Sequence, residues 1–368
     1  MRIGVLTLPL HTNYGGILQA YALQTVLERM GHDVRVIDYD YLIPRPTYWK
    51  LFKRFVKTIL GMQTLSVDYE KKLNEPEQIK RRYTQPFINK YIHRLPIKNI
   101  EEDLREEMFD CILVGSDQIW RPLYIEIVLG TSIPNAYLKF AERWNVKRIA
   151  YAASFGTDEW EYTKEETEIV KKLISKFDFV SVRELSGEEL CRNYLGINVE
   201  TVVDPTLLLN KKDYQQFIFK NKLSKKNYIY EYILDRTEEK DEIVKRIESM
   251  FGLEPLKVNI GENENSNREI SQPEVEEWLQ CFENAKYVIT DSYHGSIFSI
   301  IFEKPFIVIG NEKRGMARFN SLLSMFDLKD RIISQIADID KIKFNKLNTE
   351  IVEMYRSISM NFLLNSLK

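Results

Sequence analysis

The sequence has few of the residues that build covalently linked or metal-stabilised folds. It contains three cysteines and four histidines in 368 residues. Cys111, Cys191 and Cys281 lie far apart in apolar or helical segments, a pattern typical of buried thiols in a reducing compartment. We favour that interpretation over a metal or redox role, because free cysteines are among the most buried residues. The histidines show no ligand spacing, so neither a metal nor another cofactor is predicted.

Long apolar runs and a one-sided charge are also lacking. No apolar run approaches the roughly 18 residues of a membrane span, and residues 3–10 have neither a basic leader nor a small-residue cleavage site. Lys and Arg number 52 against 54 Asp and Glu, a net charge of -2. This balance does not indicate a nucleic-acid partner. We therefore expect a cytoplasmic protein.

What the sequence does contain is strand and helix patterns that alternate in two series. Its length and its 44% hydrophobic residues are enough for two cores. The polar run 210–213 separates the series, and strand-like residues resume at 228–234. We predict an α/β fold of two Rossmann-like domains facing across a cleft, residues 1–209 and 210–345. A C-terminal helix in residues 346–368 could cross back to the first domain.

The segment 287–310 reads as strand, polar loop, helix and strand. The polar loop contains Asp291, Ser292, Tyr293, His294 and Gly295. In open α/β sheets ligands bind beyond the carboxyl ends of the strands, where helix N-termini present free N–H groups to anions. The loop is therefore a candidate anion site with a histidine at its edge. The alternative is a structural histidine near the start of a helix.

Loops of the first domain hold further candidates. Asn13, Gly15 and Gly16 precede a predicted helix, where two glycines would let a ligand approach the backbone, although simple turn chemistry is the alternative. The fingerprints GxGxxG and GxxxxGK[ST] are both absent. Asp117 follows a buried strand and could hold sugar hydroxyls, while Trp120 could stack on a pyranose ring.

Two basic features have competing interpretations. Arg183 directly follows the strand-like residues 179–182, so it could clamp an anion or form an ordinary salt bridge. Residues 44–61 form an amphipathic helix pattern with a basic face. Such a helix can lie on an anionic membrane, but docking on the protein's own core is the more usual arrangement.

Five motifs, in this order along the chain, resemble those of the polysaccharide pyruvyl transferases. They are YGGILQAYALQ at 14–24, GSDQIW at 115–120, VRELSG at 182–187, VDPTLL at 203–208 and TDSYHG at 290–295. The resemblance implies a fold similar to GT-B glycosyltransferases. It also implies transfer of the pyruvyl group of phosphoenolpyruvate to a sugar, as a pyruvate ketal with release of phosphate.

The resemblance also implies roles for individual residues. His294 takes the place of the functional histidine, Arg183 that of an anion-binding arginine, and Asp117 lies near the expected acceptor. Some relatives carry arginine where this chain has Ser292, which implies that Arg314 or Arg318 supplies the missing charge. The remaining predicted substrate-binding residues are Asn13, Gly15, Gly16, Gln19, Ser116, Gln118, Trp120, Asp291, Tyr293 and Gly295.

The predicted partners are phosphoenolpyruvate as donor and a sugar acceptor that a lipid could carry. In that case the 44–61 helix would be the contact with the inner face of the membrane. Two other functions stay open at this point. One is a GT-B-type glycosyltransferase that uses a nucleotide sugar, and the other is a non-catalytic glycan-binding protein.

Overall fold

The computed structural model of the protein describes residues 1–39, 69–128, 131–218, 226–257, 272–310, 315–342, 344 and 346–368. The predicted amphipathic helix at 44–61 and the candidate Arg314 lie outside these residues. Every strand pair in the described ranges is parallel. Parallel strands need long crossover connections, which the alternating helices provide.

The first sheet has seven strands in the order β3-β2-β1-β4-β5-β6-β7. These strands are β1 Arg2–Leu6, β2 Asp33–Tyr39, β3 Arg94–Ile97, β4 Cys111–Val114, β5 Lys147–Ala153, β6 Phe179–Val182 and β7 Glu200–Thr201. This is the Rossmann order with a seventh strand added at one edge. The direction of winding reverses between β1 and β4, and a crevice opens at the carboxyl ends of those two strands.

The second sheet has five strands in the order β12-β11-β10-β8-β9. They are β8 Ile229–Tyr232, β9 Pro255–Lys257, β10 Tyr287–Thr290, β11 Phe306–Ile309 and β12 Ile332–Ile333. This order is that of a flavodoxin-like sheet, and winding reverses between β8 and β10. We call the parts of the protein around the two sheets the first lobe and the second lobe.

The helices cover the faces of the two sheets. In chain order they are α1 Tyr14–Arg29, α2 Tyr69–Arg81, α3 Gln85–Tyr91, α4 Ile100–Asp103, α5 Pro122–Val128, α6 Lys164–Ile174, α7 Leu185–Leu190, α8 Lys211–Gln215, α9 Glu238–Phe251, α10 Val275–Asn284, α11 Tyr293–Ile301, α12 Met316–Met325 and α13 Thr349–Ser366. Helix α1 ends before Gly31, whose φ of 89° lies in the left-handed region that glycine adopts without strain.

Side chains alternate across each strand and so supply two separate cores in each lobe. In β1, Ile3 and Val5 point into a core that includes α1, whereas Leu6 points into the core on the other face. The core on the α1 side continues into the second lobe, where it takes up Tyr230 and Val288. The two lobes are therefore joined through a continuous apolar interior.

The last helix returns to the first lobe, as the sequence suggested. The Oγ of Ser359 accepts a hydrogen bond from the Val203 N–H at 3.0 Å, and Lys147 Nζ donates to the Ser366 carbonyl at 2.8 Å. Phe362 packs against Tyr151 with ring centroids 6.1 Å apart. Helix α13 thus ties the end of the chain to the first sheet.

Candidate functional site

The crevices of the two sheets meet in one cleft. The loops after β1 and β4 come from the first lobe, and the loops after β8 and β10 come from the second. Between them lies a cavity of about 260 Å³. Its lining comes from both lobes and consists of Leu8, Pro9, His11, Thr12, Asn13, Gly16, Asp117, Gln118, Tyr124, Leu234, Ser292, Tyr293, His294 and Arg318.

Two helix N-termini border this cavity from opposite lobes. Helix α11 begins at Tyr293, and the Ser292 side chain caps it by accepting from the Gly295 N–H at 3.3 Å. Helix α1 begins at Tyr14, and its N-cap Asn13 makes no side-chain capping hydrogen bond. Because the first N–H groups of a helix lack intrahelical partners, both ends favour an anion.

His294 bridges the two lobes. Its ring lies against Gly15 in the first turn of α1, so closely that a Cβ at Gly15 would lie 2.6 Å from Cε1 and nearer still to Nδ1 and Cγ. Its Nε2 atom lies 3.5 Å from Oδ2 of Asp204 in the first lobe. The imidazole is thus held between the N-terminus of a helix and a buried carboxylate.

Asp204 is the centre of a buried polar cluster. Its Oδ2 accepts from Arg183 NH1 at 2.7 Å and from Ser116 Oγ at 3.3 Å, and its Oδ1 accepts from the N–H and the hydroxyl of Thr206. Burial acts to raise the pKa of Asp204, but the contacts with His294, Arg183 and Thr206 outweigh burial and hold the pKa well below its ordinary value. Asp204 is therefore a stable anion behind the cavity.

Arg183 lies one layer behind the cavity wall. It is 2% exposed, and its guanidinium lies 3.8 Å from Asp117 and 4.6 Å from the ring centroid of Tyr293. The structure thus shows the salt bridge, to Asp204, that was the alternative interpretation. Two of its nitrogens, Nε and Nη2, have no hydrogen-bond partner among the described residues. A direct contact with a donor anion stays a prediction for this residue.

Arg318 is the arginine that lines the cavity itself. It lies in the first turn of α12, and its guanidinium carbon is 5.2 Å from the ring centroid of Tyr293. Burial, followed by the nearby charge of Arg183, lowers the pKa of Arg318, yet an arginine side chain stays protonated in proteins. A full positive charge therefore faces the cavity without requiring Arg183 to move.

Asp117 presents a carboxylate from the first lobe. Its φ of 69° is in the left-handed region, which aspartate tolerates better than most residues. Its Oδ1 accepts from the Gln118 N–H at 2.9 Å. The Gln118 side chain packs on Gly156, whose φ is 74° and where a Cβ would lie 2.7 Å from Gln118 Cδ. A strained turn thus fixes an acid and an amide at the cavity.

The structure brings many of the predicted site residues together. The predicted residues that line the cavity are Asn13, Gly16, Asp117, Gln118, Ser292, Tyr293, His294 and Arg318. Gly15 packs on the imidazole. A Cβ at Gly295 would lie 3.0 Å from Cβ of Thr290, so glycine at this position leaves room for Thr290. Gly15 and Gly16 are the second and third residues of helix α1, so they do not form a simple turn.

The prediction for Trp120 is corrected. Its side chain is fully buried, stacks on Tyr137 with centroids 4.7 Å apart, and donates from Nε1 to the Ala136 carbonyl. Neither face of the indole is available to a sugar. Of the two aromatic residues that follow β4, Trp120 and Tyr124, it is Tyr124 in α5 that lines the cavity.

Three other predicted contacts are also internal to the fold. Gln19 is buried within α1 and donates to Thr7 Oγ1 at 2.7 Å. Ser116 is buried against Asp204. Asp291 accepts from the Leu234 N–H at 2.6 Å and from Lys240 Nζ at 2.7 Å, so it orders the loop after β8 and does not line the cavity. These residues support the site from behind.

Several residues of the site were missed at the sequence level. Asp204 lies in the motif VDPTLL at 203–208, and its position after a strand-like run is the only sequence signal for its role. His11, Thr12 and Leu234 lie in loops whose spacing carries no chemical signal. Tyr124 lies four residues after Trp120, and burial alone distinguishes the two rings.

Within the described part of the chain, no three His, Cys, Asp or Glu side chains group as metal ligands. All three cysteines are buried and free. Burial raises the pKa of the Cys111 thiol to about 12, which removes its nucleophilic character at neutral pH. None of the described helices combines the length and the apolar character that a membrane crossing requires.

Two Rossmann-like sheets that face each other across a cleft define a GT-B-like fold. The sequence model of one family, polysaccharide pyruvyl transferase, matches residues 13–313. Because this match covers most of the chain, the protein belongs to the polysaccharide pyruvyl transferase family. Membership supports polysaccharide pyruvyl transfer as the general activity. A comparison with curated protein sequences gives no significant match.

Several solved structures are similar to this chain over most of its length, one of them with a TM-score above 0.5. A Listeria monocytogenes protein assigned as a UDP-N-acetylglucosamine 2-epimerase is 11% identical, with a TM-score of 0.53 and coverage of 100% of this chain and 96% of that one. The UDP-GlcNAc 2-epimerase of Methanocaldococcus jannaschii is 14% identical, with a TM-score of 0.49 and coverage of 98% and 93%. An alpha-glucosyltransferase in complex with UDP and DNA is 11% identical, with a TM-score of 0.45 and coverage of 99% and 95%. At 11% identity, the match to the Listeria protein shows the fold alone.

Proposed function

We propose that this protein transfers the pyruvyl group of phosphoenolpyruvate to two hydroxyls of a sugar, in a cell-surface polysaccharide or its precursor, and releases phosphate. The observation that carries the proposal is the convergence of His294, Arg318 and two helix N-termini on one cavity. The second lobe, residues 210–345, would bind the donor, and the first lobe, residues 1–209, would bind the acceptor.

The donor is a small, strongly anionic ester, and the charges around the cavity suit it. The N-termini of α1 and α11 supply partial positive charge, and Arg318 supplies a full charge with a planar set of donors that matches phosphate or carboxylate. This arrangement supports Arg318 as the replacement for the arginine that relatives carry at the position of Ser292. The backbone N–H of Tyr293 at the start of α11 is a further donor to the same anion.

The reaction needs one proton at C3 of the donor and loses one proton from each of two sugar hydroxyls. His294 would protonate C3, and C2 would then carry the positive charge that the first hydroxyl attacks. Asp117 would accept or orient the hydroxyl proton. The second hydroxyl displaces phosphate, which leaves with the remaining proton, so that the two protons lost equal the two gained. General acid and base groups of this kind increase the reaction rate roughly 10²–10⁴-fold.

The acceptor would enter from the side of the first lobe. Tyr124 offers an aromatic ring for stacking, while Asn13 and Gln118 offer amides to hydroxyls. If a lipid carries the acceptor, residues 44–61 would contact the membrane. Liposome flotation that is insensitive to substitution of the basic residues Lys50, Lys53, Arg54 and Lys57 would contradict this contact.

The direct test is incubation with phosphoenolpyruvate and a panel of lipid-linked and synthetic glycosides, followed by mass spectrometry for a gained pyruvate ketal and an assay for phosphate. We expect ketal and phosphate in equal amounts, and no ketal from His294→Ala protein that is still folded. Thermal-shift measurements compare the alternatives. Stabilisation by phosphoenolpyruvate supports the proposal, stabilisation by UDP or GDP supports a nucleotide-sugar enzyme, and sugar binding without phosphate release indicates a glycan-binding protein.

A further inference from the structure

His294 has two ring nitrogens in different surroundings. Nε2 is buried and makes no hydrogen bond of good geometry with any described residue, and its nearest acceptor is Oδ2 of Asp204 at 3.5 Å. Nδ1 lies on the side of the ring that faces Gly15 and the first turn of α1. The chemistry of the site depends on which of these two nitrogens carries the proton in the neutral ring.

The negative charge of Asp204 determines which nitrogen of the neutral ring is protonated. It is fully buried, and its carboxylate is kept ionised by Arg183 and by two hydrogen bonds from Thr206. A bare nitrogen lone pair facing a carboxylate in a water-excluded site would be repelled, whereas an N–H in the same place is attracted. The proton of the neutral imidazole is therefore favoured on Nε2.

We propose that Asp204 is a positioning residue that keeps the Nε2–H form of His294, so that Nδ1 is the nitrogen that exchanges a proton with the substrate. The catalytic meaning of this assignment rests on the proposed function. Asp204 reaches the imidazole from the other lobe, so the reactive form of His294 exists only when the lobes are packed as seen here. Gly15 contributes because its lack of a side chain lets the imidazole pack directly against the first turn of α1.

The geometry of Asp204 suits this role. Thr206 fixes one carboxylate oxygen through both its N–H and its hydroxyl, at 3.0 and 2.7 Å. Arg183 and Ser116 hold the other oxygen on the side that faces the imidazole. With four donors around it the carboxylate cannot rotate freely, so its charge stays beside Nε2.

The first test needs no activity. Protein labelled with ¹⁵N-histidine is measured by NMR under conditions where the ring is neutral, and the His294 signals are assigned by their loss in His294→Gln. We expect a protonated Nε2 and an unprotonated Nδ1 in the wild-type protein. A proton on Nδ1 with a bare Nε2 would overturn the inference, whether or not the protein acts on phosphoenolpyruvate.

The second test is kinetic. Asp204→Asn keeps the shape of the side chain but removes the charge, so both ring forms become accessible. We expect kcat for ketal formation to fall roughly 10²–10⁴-fold, the contribution of general acid–base catalysis, with a much smaller change in KM for phosphoenolpyruvate. The ¹⁵N spectrum should then show a mixture of the two ring forms.

Asp38→Asn is the matched control. Asp38 is also fully buried in the first lobe and is paired with an arginine, Arg94, at 2.5 Å, but it is not in contact with His294. We expect it to lower stability while the His294 ring form remains unchanged. If Asp204→Asn keeps kcat within a few-fold of wild type and keeps a protonated Nε2, the carboxylate has only a structural role. A wild-type protein that forms no ketal would refute the proposed function and leave the NMR test decisive for this inference.

Discussion

Replacing Gly15 by alanine tests the contact that joins the two lobes at the imidazole. A Cβ at this position would lie 2.6 Å from Cε1 of His294 and closer still to Nδ1 and Cγ, far inside a normal contact of about 3.5 Å. The ring must therefore move by about 1 Å. Misplacement of a reacting group by this amount costs roughly 10²-fold in rate, so we expect that loss in ketal formation.

Gly16→Ala is the matched control for stability. Both glycines are in the first turn of α1, so both substitutions gain the same helix propensity and the same restriction of the unfolded chain. At Gly16 the nearest atom is Asn13 Nδ2 at 3.2 Å, the end of a side chain that can shift. Overpacking costs about 1–3 kcal/mol, and at about 2.1 cal/mol/K of unfolding entropy per residue each kcal/mol changes the Tm of a chain of 368 residues by about 1.3 °C. We therefore expect Gly15→Ala to melt roughly 1–4 °C below Gly16→Ala.

A double-mutant cycle identifies the clashing partner. His294→Ala removes the ring that the new methyl group would meet, so Gly15→Ala should cost little stability in that background. Differential scanning calorimetry of the four proteins measures the coupling directly. A Gly15→Ala protein that is as active as wild type and as stable as Gly16→Ala would refute the placement of the imidazole against α1.

Three further predictions follow from the same structure. Trp120→Ala should destabilise the protein by about 3–5 kcal/mol in urea unfolding, because it empties a buried aromatic site. Tyr124→Ala should leave Tm nearly unchanged and raise KM for the acceptor. Equal behaviour of the two variants would contradict the assignment of Trp120 to the core and Tyr124 to the cavity. The folded-state pKa of Asp204 is depressed below its ordinary 3.8, so the ionised carboxylate stabilises the fold above that pH and this contribution is lost as the pH falls further. The unfolding free energies of wild type and Asp204→Asn should therefore converge below about pH 4. Parallel curves of unfolding free energy against pH would count against an ionised Asp204. Ser359→Ala leaves the Val203 N–H without its side-chain acceptor, which should cost about 1–3 kcal/mol and speed hydrogen exchange in α13; unchanged exchange would show that this bond does not hold the helix.

The order of strands and helices near the site could be predicted. The segment 287–310 contains the expected strand, helix and strand, Tyr287–Thr290, Tyr293–Ile301 and Phe306–Ile309, because polar residues and proline separate its apolar runs. The helix after the first strand is longer than its apolar spacing indicated and begins at Tyr14. Glycines at its start hid that boundary, since their low helix propensity favours a turn.

Which aromatic residue after β4 lines the cavity could not be predicted. Trp120 and Tyr124 both follow β4 within a few residues, and composition gives no reason to choose between them. Stacking on Tyr137 and a hydrogen bond to Ala136 bury the indole. These partners belong to the short 3₁₀ helix Ile133–Tyr137, which lies outside the local pattern around Trp120, so the choice depends on packing that no local pattern contains.

The sequence by itself determined the alternation of strands and helices, the polar loops at the strand ends and the family motifs, because these depend on side chains that are close together along the chain. Only the tertiary structure decided what faces the cavity. Asp204 meets His294, Arg318 lines the cleft, and Arg183 pairs with Asp204 behind it. These relations join residues of two separately wound sheets, and the packing of one lobe against the other sets them.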